Sequence, residues 1–302
     1  MRRTFHTLNV FTDTPFTGNP LAVVLDCEGL SEQRMQLIAR EFNLSETVFV
    51  LDPLDPVNTA RLRIFTPTRE LPFAGHPTIG AAVLIAQLRA SEMLGGAGLG
   101  LAFEEKVGLI ACTVRRQRGG VTQASFILPR LPKRLGEAPG VEAIAAALGL
   151  QAADIGFDAH QPRLWSAGNA FTFVPVASLE AIGRAVPNPA LFTTTFAGSG
   201  WLAFLYTQEV VREGSHVHAR MFGPGVAITE DPATGSAAAA FAGVAAQFER
   251  PEDGDHLLVI EQGFEIGRPS IIHLRLQIEG GMLVDASVGG AAVMVAQGTI
   301  EA

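Results

Sequence analysis

The chain has 302 residues, of which 48% are hydrophobic and 17% are charged, and its formal net charge is −8. This length exceeds what one hydrophobic core usually serves, so two domains are expected, and the apolar fraction excludes a disordered chain. The basic clusters are short and are not interleaved with aromatic residues, so neither nucleic acid nor a membrane surface is expected as a partner. Without an apolar signal core or membrane-length apolar run, the sequence predicts a cytoplasmic protein.

Cysteine and histidine spacings give no sign of a metal site. Cys27 and Cys112 lie far apart without a CxxC spacing, so neither a disulfide framework nor a zinc site is predicted. His216 and His218 form a lone HxH pair, which is a weak metal-binding pattern. No metal and no cofactor are therefore expected.

The chain begins with strand patterns that are interrupted by one helix. Residues 4–10 and 21–25 are typical of two strands joined by a turn-rich loop. Ser31 is a candidate N-cap for a helix that ends near Asn43. Residues 47–50 and 61–65 then predict two further strands.

Two later segments predict helices of an unusual kind. Residues 77–89 (PTIGAAVLIAQLR) and 232–248 (PATGSAAAAFAGVAAQF) are small and apolar around nearly their whole circumference. A helix with this composition must be buried on all sides. Most of the remaining chain has strand character, with short helices expected at 141–148 and 178–185.

The second half of the chain resembles the first. The segment FTPTRELPFAGHPTIGAA aligns with FGPGVAITEDPATGSAA, so that Pro77 matches Pro232 at a spacing of 155 residues (232 − 77). Gly18-Asn19, which precedes one strand, is matched by Gly168-Asn169 before another strand, at a spacing of 150 residues (168 − 18). This pattern indicates a duplicated domain, and a cleft between the two halves would be the natural ligand site.

The two helix starts are candidate binding elements. Proline in the first turn of each helix is compatible with its fixed φ, and helix N-termini supply unpaired N–H groups suited to a carboxylate. Gly75 and Gly235 would let a ligand approach that backbone, and the Ser236 hydroxyl would add a donor. Taken alone, Asp231 could be an ordinary N-cap and His76 an ordinary loop histidine. Their paired occurrence favours a functional role.

Glu46 lies in the segment NLSETVFV, where a helix gives way to a strand whose residues have a buried pattern. A glutamate in this setting either caps the backbone or serves chemistry, and surface glutamates are far commoner than catalytic ones. Burial would raise its pKa towards a range useful for proton transfer.

Four motifs, FTGNPLAVV, EFNLSETVFV, ELPFAGHPT and EDPATGSA, resemble in order and spacing the phenazine-biosynthesis isomerase-like (PhzF-like) family, which has the diaminopimelate epimerase fold. The resemblance covers essentially the whole chain. It implies an α+β fold of two pseudo-symmetric domains, each a strongly curved, barrel-like sheet around a central apolar helix. The expected domains are 1–118 with the C-terminal strand at about 288–302, and 119–287. The resemblance also implies a homodimer.

The same resemblance assigns roles to four residues. The glutamate of the family's SET motif is its proton-shuttling acid/base and matches Glu46, and the histidine of GHP matches His76. The aspartate and serine of EDPATGS match Asp231 and Ser236. The backbone near Gly75 and Gly235 would help Ser236 to hold the substrate carboxylate, and Asn19 is a further candidate for the wall of the site.

The predicted function is a cofactor-independent isomerase that shifts a proton and double bonds in a small unsaturated carboxylic acid, with a dihydro-hydroxyanthranilate as the reference substrate of the family. Two alternatives stay open: a non-catalytic binding protein on the same fold, and an amino-acid epimerase. Related epimerases use a cysteine at each helix start. Here His76 and Asp231 stand at those places, which disfavours a two-cysteine mechanism.

Overall fold

The computed structural model describes residues 2–95, 98–226 and 228–302 and divides into two compact units. The first unit comprises Met1–Pro129 and Gly289–Ala302, and the second comprises Arg130–Val288. The sequence placed this boundary after residue 118. The first unit extends further because the strand after that point, Thr122–Ile127, pairs with the strand before it, Gly108–Arg116.

The elements of the first unit are β1 (Arg2–Val10), β2 (Asn19–Val24), α1 (Glu32–Phe42), β3 (Glu46–Leu51), β4 (Ala60–Phe65), β5 (Glu70–Leu71), α2 (Gly75–Ala90), β6 (Leu99–Glu105), β7 (Gly108–Arg116) and β8 (Thr122–Ile127). The elements of the second unit are β9 (Lys133–Arg134), α3 (Val141–Leu148), β10 (Arg163–Ser166), β11 (Ala170–Pro175), α4 (Leu179–Arg184), α5 (Pro189–Thr195), β12 (Ala203–Thr207), β13 (Val217–Gly223), β14 (Ile228–Asp231), α6 (Gly235–Phe248), β15 (Gly254–Gln262) and β16 (Ser270–Glu279). The last strand, β17 (Met282–Glu301), contributes its end to the first unit.

The first unit is a closed barrel of eight strands. Its ring runs β1, β2, β3, β4, β6, β7, β8 and β17, and β17 closes it by pairing with β1. Two pairs in the ring, β2 with β3 and β4 with β6, are parallel. A parallel pair needs a crossover connection, and α1 and α2 provide these two crossovers.

Helix α2 forms the core of this barrel. Its residues from Gly75 to Ala86 are all buried, and it packs against β1, β2, β3, β7 and β8. Close packing explains the small residues: a Cβ atom at Gly80 would lie 2.4 Å from Cδ2 of Leu21 and 2.9 Å from Cγ2 of Val10. The amphipathic pattern of an ordinary surface helix is absent from its sequence because every side of α2 meets the sheet.

The second unit repeats this order of pairings. β10 and β11 are antiparallel, β11 and β12 parallel, β12 and β13 antiparallel, and β13 and β15 parallel. The alanine-rich α6 crosses between β13 and β15, as α2 crosses between β4 and β6. Gly243 of α6 lies against the indole of Trp165, where an added Cβ would approach to 2.4 Å. The fold class predicted from the sequence is therefore confirmed.

Three local predictions can be compared with the observed elements. Ser31 caps α1 by accepting from Arg34 N, and Asn43 ends that helix in the left-handed conformation, as predicted. Helix α6 begins at Gly235, so the predicted start at Pro232 was wrong. The end of the chain, which was predicted to have strand character, forms one continuous strand, β17. Within the described part of the chain, no helix has the length and apolar character needed to cross a membrane.

Candidate functional site

Glu46 is the first residue of β3, and its place is fixed by the elements on both sides of it. Asn43, at φ 51°, ends α1 and redirects the chain into the strand. β3 then pairs in parallel with β2, which sets Glu46 beside Leu21. The Glu46 side chain is mostly buried, with 16% of its surface exposed. The sequence motif therefore places a carboxyl group at the end of the barrel strand rather than on the open surface.

His76 of helix α2 lies beside Glu46. Its Nε2 atom is 3.3 Å from Oε2 of Glu46, and its side chain is only 6% exposed. Burial lowers the pKa of His76 to about 3, so the imidazole is neutral at physiological pH. The pair is therefore a carboxyl group next to a neutral imidazole and not an ion pair. A neutral imidazole has one N–H donor and one acceptor nitrogen, which suits it to hold a polar group of a ligand.

The start of α2 supplies backbone donors at the same place. Its N-cap residue is Ala74, which has no polar side chain with which to cap the helix. Pro77 has no N–H, so the donors of the first turn are those of Gly75 and His76. These N–H groups and the helix dipole together favour an anion.

Asn19 opens β2 in the same unit and is completely buried, opposite Val10. The preceding Gly18 has φ 65°, and a Cβ there would lie 2.4 Å from the Val10 carbonyl oxygen. Only glycine fits this turn, and the turn delivers Asn19 to the sheet. The structure thus groups Glu46, His76, Gly75 and Asn19 in the first unit.

Asp231 belongs to the second unit and is the last residue of β14. Its Oδ2 atom accepts a hydrogen bond of 2.7 Å from the hydroxyl of Thr234. The interpretation of Asp231 as an ordinary N-cap is therefore wrong, because the N-cap of α6 is Thr234. The amide of Gln262 fixes this turn further: its Nε2 donates to Asp231 O and its Oε1 accepts from Thr234 N.

Gly235 and Ser236 are the first two residues of α6. The Thr234 hydroxyl does not cap this helix: it accepts from Gln262 Nε2 and donates to Asp231 Oδ2 instead. The first N–H groups of α6 therefore lack a side-chain cap, as those of α2 do. Gly235 is buried and Ser236 is half-buried, so the serine hydroxyl lies in the first turn beside these donors.

Four buried polar residues next to these positions were not identified from the sequence. They are Thr78 and Glu105 in the first unit and Thr234 and Gln262 in the second. The two threonines carried a usable signal, since each lies in a helix-start motif, GHPT or DPATGS. Glu105 and Gln262 carried none, because each reaches its helix only through strand pairing.

The HxH pair has a structural role. His218 is buried, with Nδ1 2.8 Å from Glu261 Oε1 and Nε2 2.8 Å from Glu265 Oε1. His216 accepts instead from the backbone N–H of Val259. Across residues 2–95, 98–226 and 228–302, no group of three or more His, Cys, Asp or Glu side chains is arranged to hold a metal ion.

Neither cysteine lies at a helix start. Cys27 follows β2, and Cys112 lies within β7; both thiols are free and buried. Burial raises the pKa of Cys27 to about 12 and raises that of Cys112 as well. A thiol that stays protonated is a poor proton acceptor. These two residues therefore do not provide the opposed acid and base of a two-cysteine epimerase.

Comparison with known proteins places the chain in a family. The model of the phenazine biosynthesis-like proteins matches residues 8–298. The chain belongs to this PhzF family. An uncharacterised isomerase of Mesorhizobium japonicum is 48% identical over 302 residues, which cover 99% of this chain and 98% of that protein. The trans-2,3-dihydro-3-hydroxyanthranilate isomerase of Pseudomonas aeruginosa is 34% identical and covers 96% of both chains.

Among solved structures, the PhzF-family phenazine biosynthesis protein of Bacillus anthracis superposes with a TM-score of 0.88 at 28% identity, over the full length of both chains. The resemblance drawn from the four motifs is thus confirmed at the level of the family. The relatives identify the chain as an isomerase of the PhzF family.

Proposed function

We propose that this PhzF-family protein isomerises a small unsaturated cyclic carboxylic acid by moving one proton, with Glu46 as the acid/base. The observation that carries the proposal is the Glu46 carboxyl group 3.3 Å from the neutral, buried imidazole of His76. A substrate related to trans-2,3-dihydro-3-hydroxyanthranilate is supported by the Pseudomonas aeruginosa relative at 34% identity.

In the proposed reaction, the Glu46 carboxylate removes a proton from a carbon next to the conjugated system. The electron pair of the broken C–H bond delocalises through the adjacent double bonds. The protonated Glu46 then returns the proton to a different carbon, where a new C–H bond forms. The double bonds have moved, and neither the composition nor the oxidation state of the molecule has changed.

The other residues of the site bind and orient the substrate in this proposal. The uncapped N–H groups at Gly75, and those at Gly235 together with the Ser236 hydroxyl, are each suited to an anionic group of the substrate, since helix starts favour anions. The neutral His76 and the Asp231 carboxylate engage the polar substituents of the ring. Asn19, the first residue of β2, forms part of the wall of the substrate site.

Replacement of Glu46 by glutamine tests this assignment. The amide keeps the size of the side chain but cannot accept the proton, so turnover of trans-2,3-dihydro-3-hydroxyanthranilate should fall at least about a hundredfold. In deuterated solvent the wild-type product should carry deuterium at the newly protonated carbon, because a carboxyl proton exchanges with water. Glu41→Gln, on the exposed side of α1, is the matched control and should leave turnover unchanged. A folded Glu46→Gln variant with wild-type turnover would contradict the proposal.

A further inference from the structure

In each unit, a glutamate at the end of a strand accepts hydrogen bonds from two consecutive backbone N–H groups of a loop. Glu104 at the end of β6 accepts backbone hydrogen bonds from residues 54 and 55, at 2.7 and 2.9 Å. Glu261 at the end of β15 accepts from residues 211 and 212, at 2.6 and 3.0 Å. The two glutamates are 157 residues apart (261 − 104), and so are the loop residues that they bind (211 − 54 and 212 − 55). The two units therefore align at a constant spacing in this region.

This register makes the next residue on each strand a structural equivalent: Glu105 in the first unit and Gln262 in the second. Both side chains are buried, and each contacts a threonine at the start of its central helix. Glu105 Oε1 lies 2.7 Å from Thr78 Oγ1, and Gln262 Nε2 lies 3.0 Å from Thr234 Oγ1. A carboxyl group therefore stands in the first unit where an amide stands in the second.

The hydrogen positions in the second unit follow from the chemistry of an amide. Gln262 Nε2 can only donate, so it donates to Thr234 Oγ1. The single hydroxyl proton of Thr234 is then donated to Asp231 Oδ2, at 2.7 Å. The amide thus donates to the threonine, and the threonine donates to the carboxylate. Each of these two contacts has its own proton.

The first unit has a corresponding chain of three groups, which are the Glu105 carboxyl, the Thr78 hydroxyl and the Ala74 carbonyl. Here the position of one proton has to be decided. Thr78 Oγ1 lies 2.8 Å from the Ala74 carbonyl oxygen and 2.7 Å from Glu105 Oε1. The hydroxyl has one proton, and the carbonyl oxygen can only accept. If Glu105 were ionised, two acceptors would compete for that proton and one contact would have none. If Glu105 carries a proton, it donates to Thr78, and Thr78 donates to Ala74.

We propose that Glu105 is held as a neutral carboxylic acid whose O–H donates to Thr78, and that it thereby positions the start of α2 as the Gln262 amide positions the turn before α6. The Ala74 carbonyl at the end of this relay directly precedes Gly75 and His76, the donors of the candidate site. Glu105 is a positioning residue in this scheme, acting through Thr78.

The surroundings of Glu105 favour the neutral form. Its residue surface is only 8% exposed, and burial raises its pKa to about 8, against the opposing effect of the Thr78 hydrogen bond. Among the described residues, the titratable group on β7 that interacts with Glu105 is the Cys112 thiol, whose pKa is raised by burial and by a negative charge on Glu105, so it stays protonated.

The neighbouring cations are engaged elsewhere. Lys106, the next residue along the chain, contacts the carboxylate of Glu70. Arg61 of β4, which pairs with Glu104, donates to Glu28 at 3.3 Å. Neither cation compensates a negative charge on Glu105, so ionisation would leave that charge buried.

Infrared spectroscopy of the whole protein tests the inference, because the C=O stretch of a neutral carboxylic acid is separate from the carboxylate bands. At about pH 6.5, where ordinary Asp and Glu side chains are ionised, the wild type should show such a band, and it should lose half its intensity near pH 8. Glu105→Gln should lack the band, and the matched control Glu104→Gln should retain it. A wild type without the band, or a Glu105→Gln variant that keeps it, overturns the proposal.

A second measurement uses stability. Since the folded-state pKa of Glu105 is raised, its stabilising effect is complete below pH 4.5 and is lost as the pH rises to about 8. Glu105→Gln keeps a donor for Thr78 and does not ionise, so its melting temperature should match the wild type near pH 4.5 and exceed it increasingly up to about pH 8. Glu105→Ala leaves Thr78 without that donor, so it should melt below the Gln variant at both pH values. Equal losses in the Gln and Ala variants at both pH values would overturn the proposal. If a variant does not fold, the infrared titration of the wild type still tests whether a neutral carboxylic acid is present.

Discussion

Arg220 holds the carboxylate of Glu230 with two parallel hydrogen bonds, Nε to Oε1 at 2.9 Å and Nη2 to Oε2 at 2.8 Å. Both side chains are more than nine-tenths buried. Nη1 of the same guanidinium donates to the carbonyl oxygens of Ile182 and Ala185 at the end of α4. Because Glu230 precedes Asp231 in β14, this pair helps to fix the backbone of a candidate site residue.

Replacement of Arg220 by methionine should destabilise the protein by about 3 to 5 kcal/mol, because it leaves the Glu230 carboxylate buried without its partner. The double variant Arg220→Met with Glu230→Gln should recover part of that loss. Arg275→Met breaks a pair with Asp255 in which both side chains are more than half exposed, and it should cost about 0 to 1 kcal/mol. Urea unfolding measures all three, and similar losses at Arg220 and Arg275 would contradict the prediction.

His218 should make the stability of the protein fall at alkaline pH. Burial alone would lower its pKa, but the hydrogen bonds to Glu261 and Glu265 outweigh burial and raise it to about 9. The stabilisation is therefore complete below pH 6.5 and is lost as the pH rises through about 9. Unfolding free energies of the wild type and His218→Asn should differ most near pH 6 and converge above pH 9. A difference that does not change with pH would show that the ring acts by packing alone.

Gly80→Ala should destabilise the first unit by about 1 to 3 kcal/mol, because the new methyl group would overlap the side chains of Leu21 and Val10. Gly183→Ala, in the short helix α4, is the control: no atom lies within 4 Å of its added Cβ. Helix propensity favours alanine there by up to about 1 kcal/mol. Thermal unfolding should separate the two variants, and equal melting temperatures would mean that the barrel can open around α2.

The two thiols should be inert in the folded protein. Cys27 and Cys112 are buried, and the pKa of each thiol is raised by that burial. A disulfide reagent such as DTNB should therefore label neither thiol in the native state and both in denaturant. Replacement of each cysteine by serine should leave isomerisation intact. Rapid native labelling accompanied by loss of activity would instead support a thiol-based epimerase.

Elements whose signals are local were predictable from the sequence. Ser31 and Asn43 delimit α1 because a capping side chain and a left-handed residue act within one helical turn. The buried character of α2 and α6 followed from composition alone, since a helix without a polar face has no stable place at the surface. The motif containing Glu46 was sufficient to place it where α1 gives way to β3.

The sequence failed where distant strands compete with a local signal. Asp231-Pro232 is a plausible helix start, yet Asp231 pairs with Met221 across two strands, which delays α6 to Gly235. The HxH pair is a second case, because its sequence was only a weak metal-binding pattern and gave no sign of the partners of His218. Glu261 and Glu265, more than forty residues further along the chain, make His218 part of a buried ionic network.

The sequence by itself thus determined the family, the fold class, the duplication and the four candidate residues Glu46, His76, Asp231 and Ser236, because motifs and periodicity are properties of neighbouring residues. The tertiary structure alone decided the neutral state of His76 and the equivalence of Glu105 and Gln262. Both depend on burial and on hydrogen bonds between strands far apart in the chain, and these set the cost of a charge at each position.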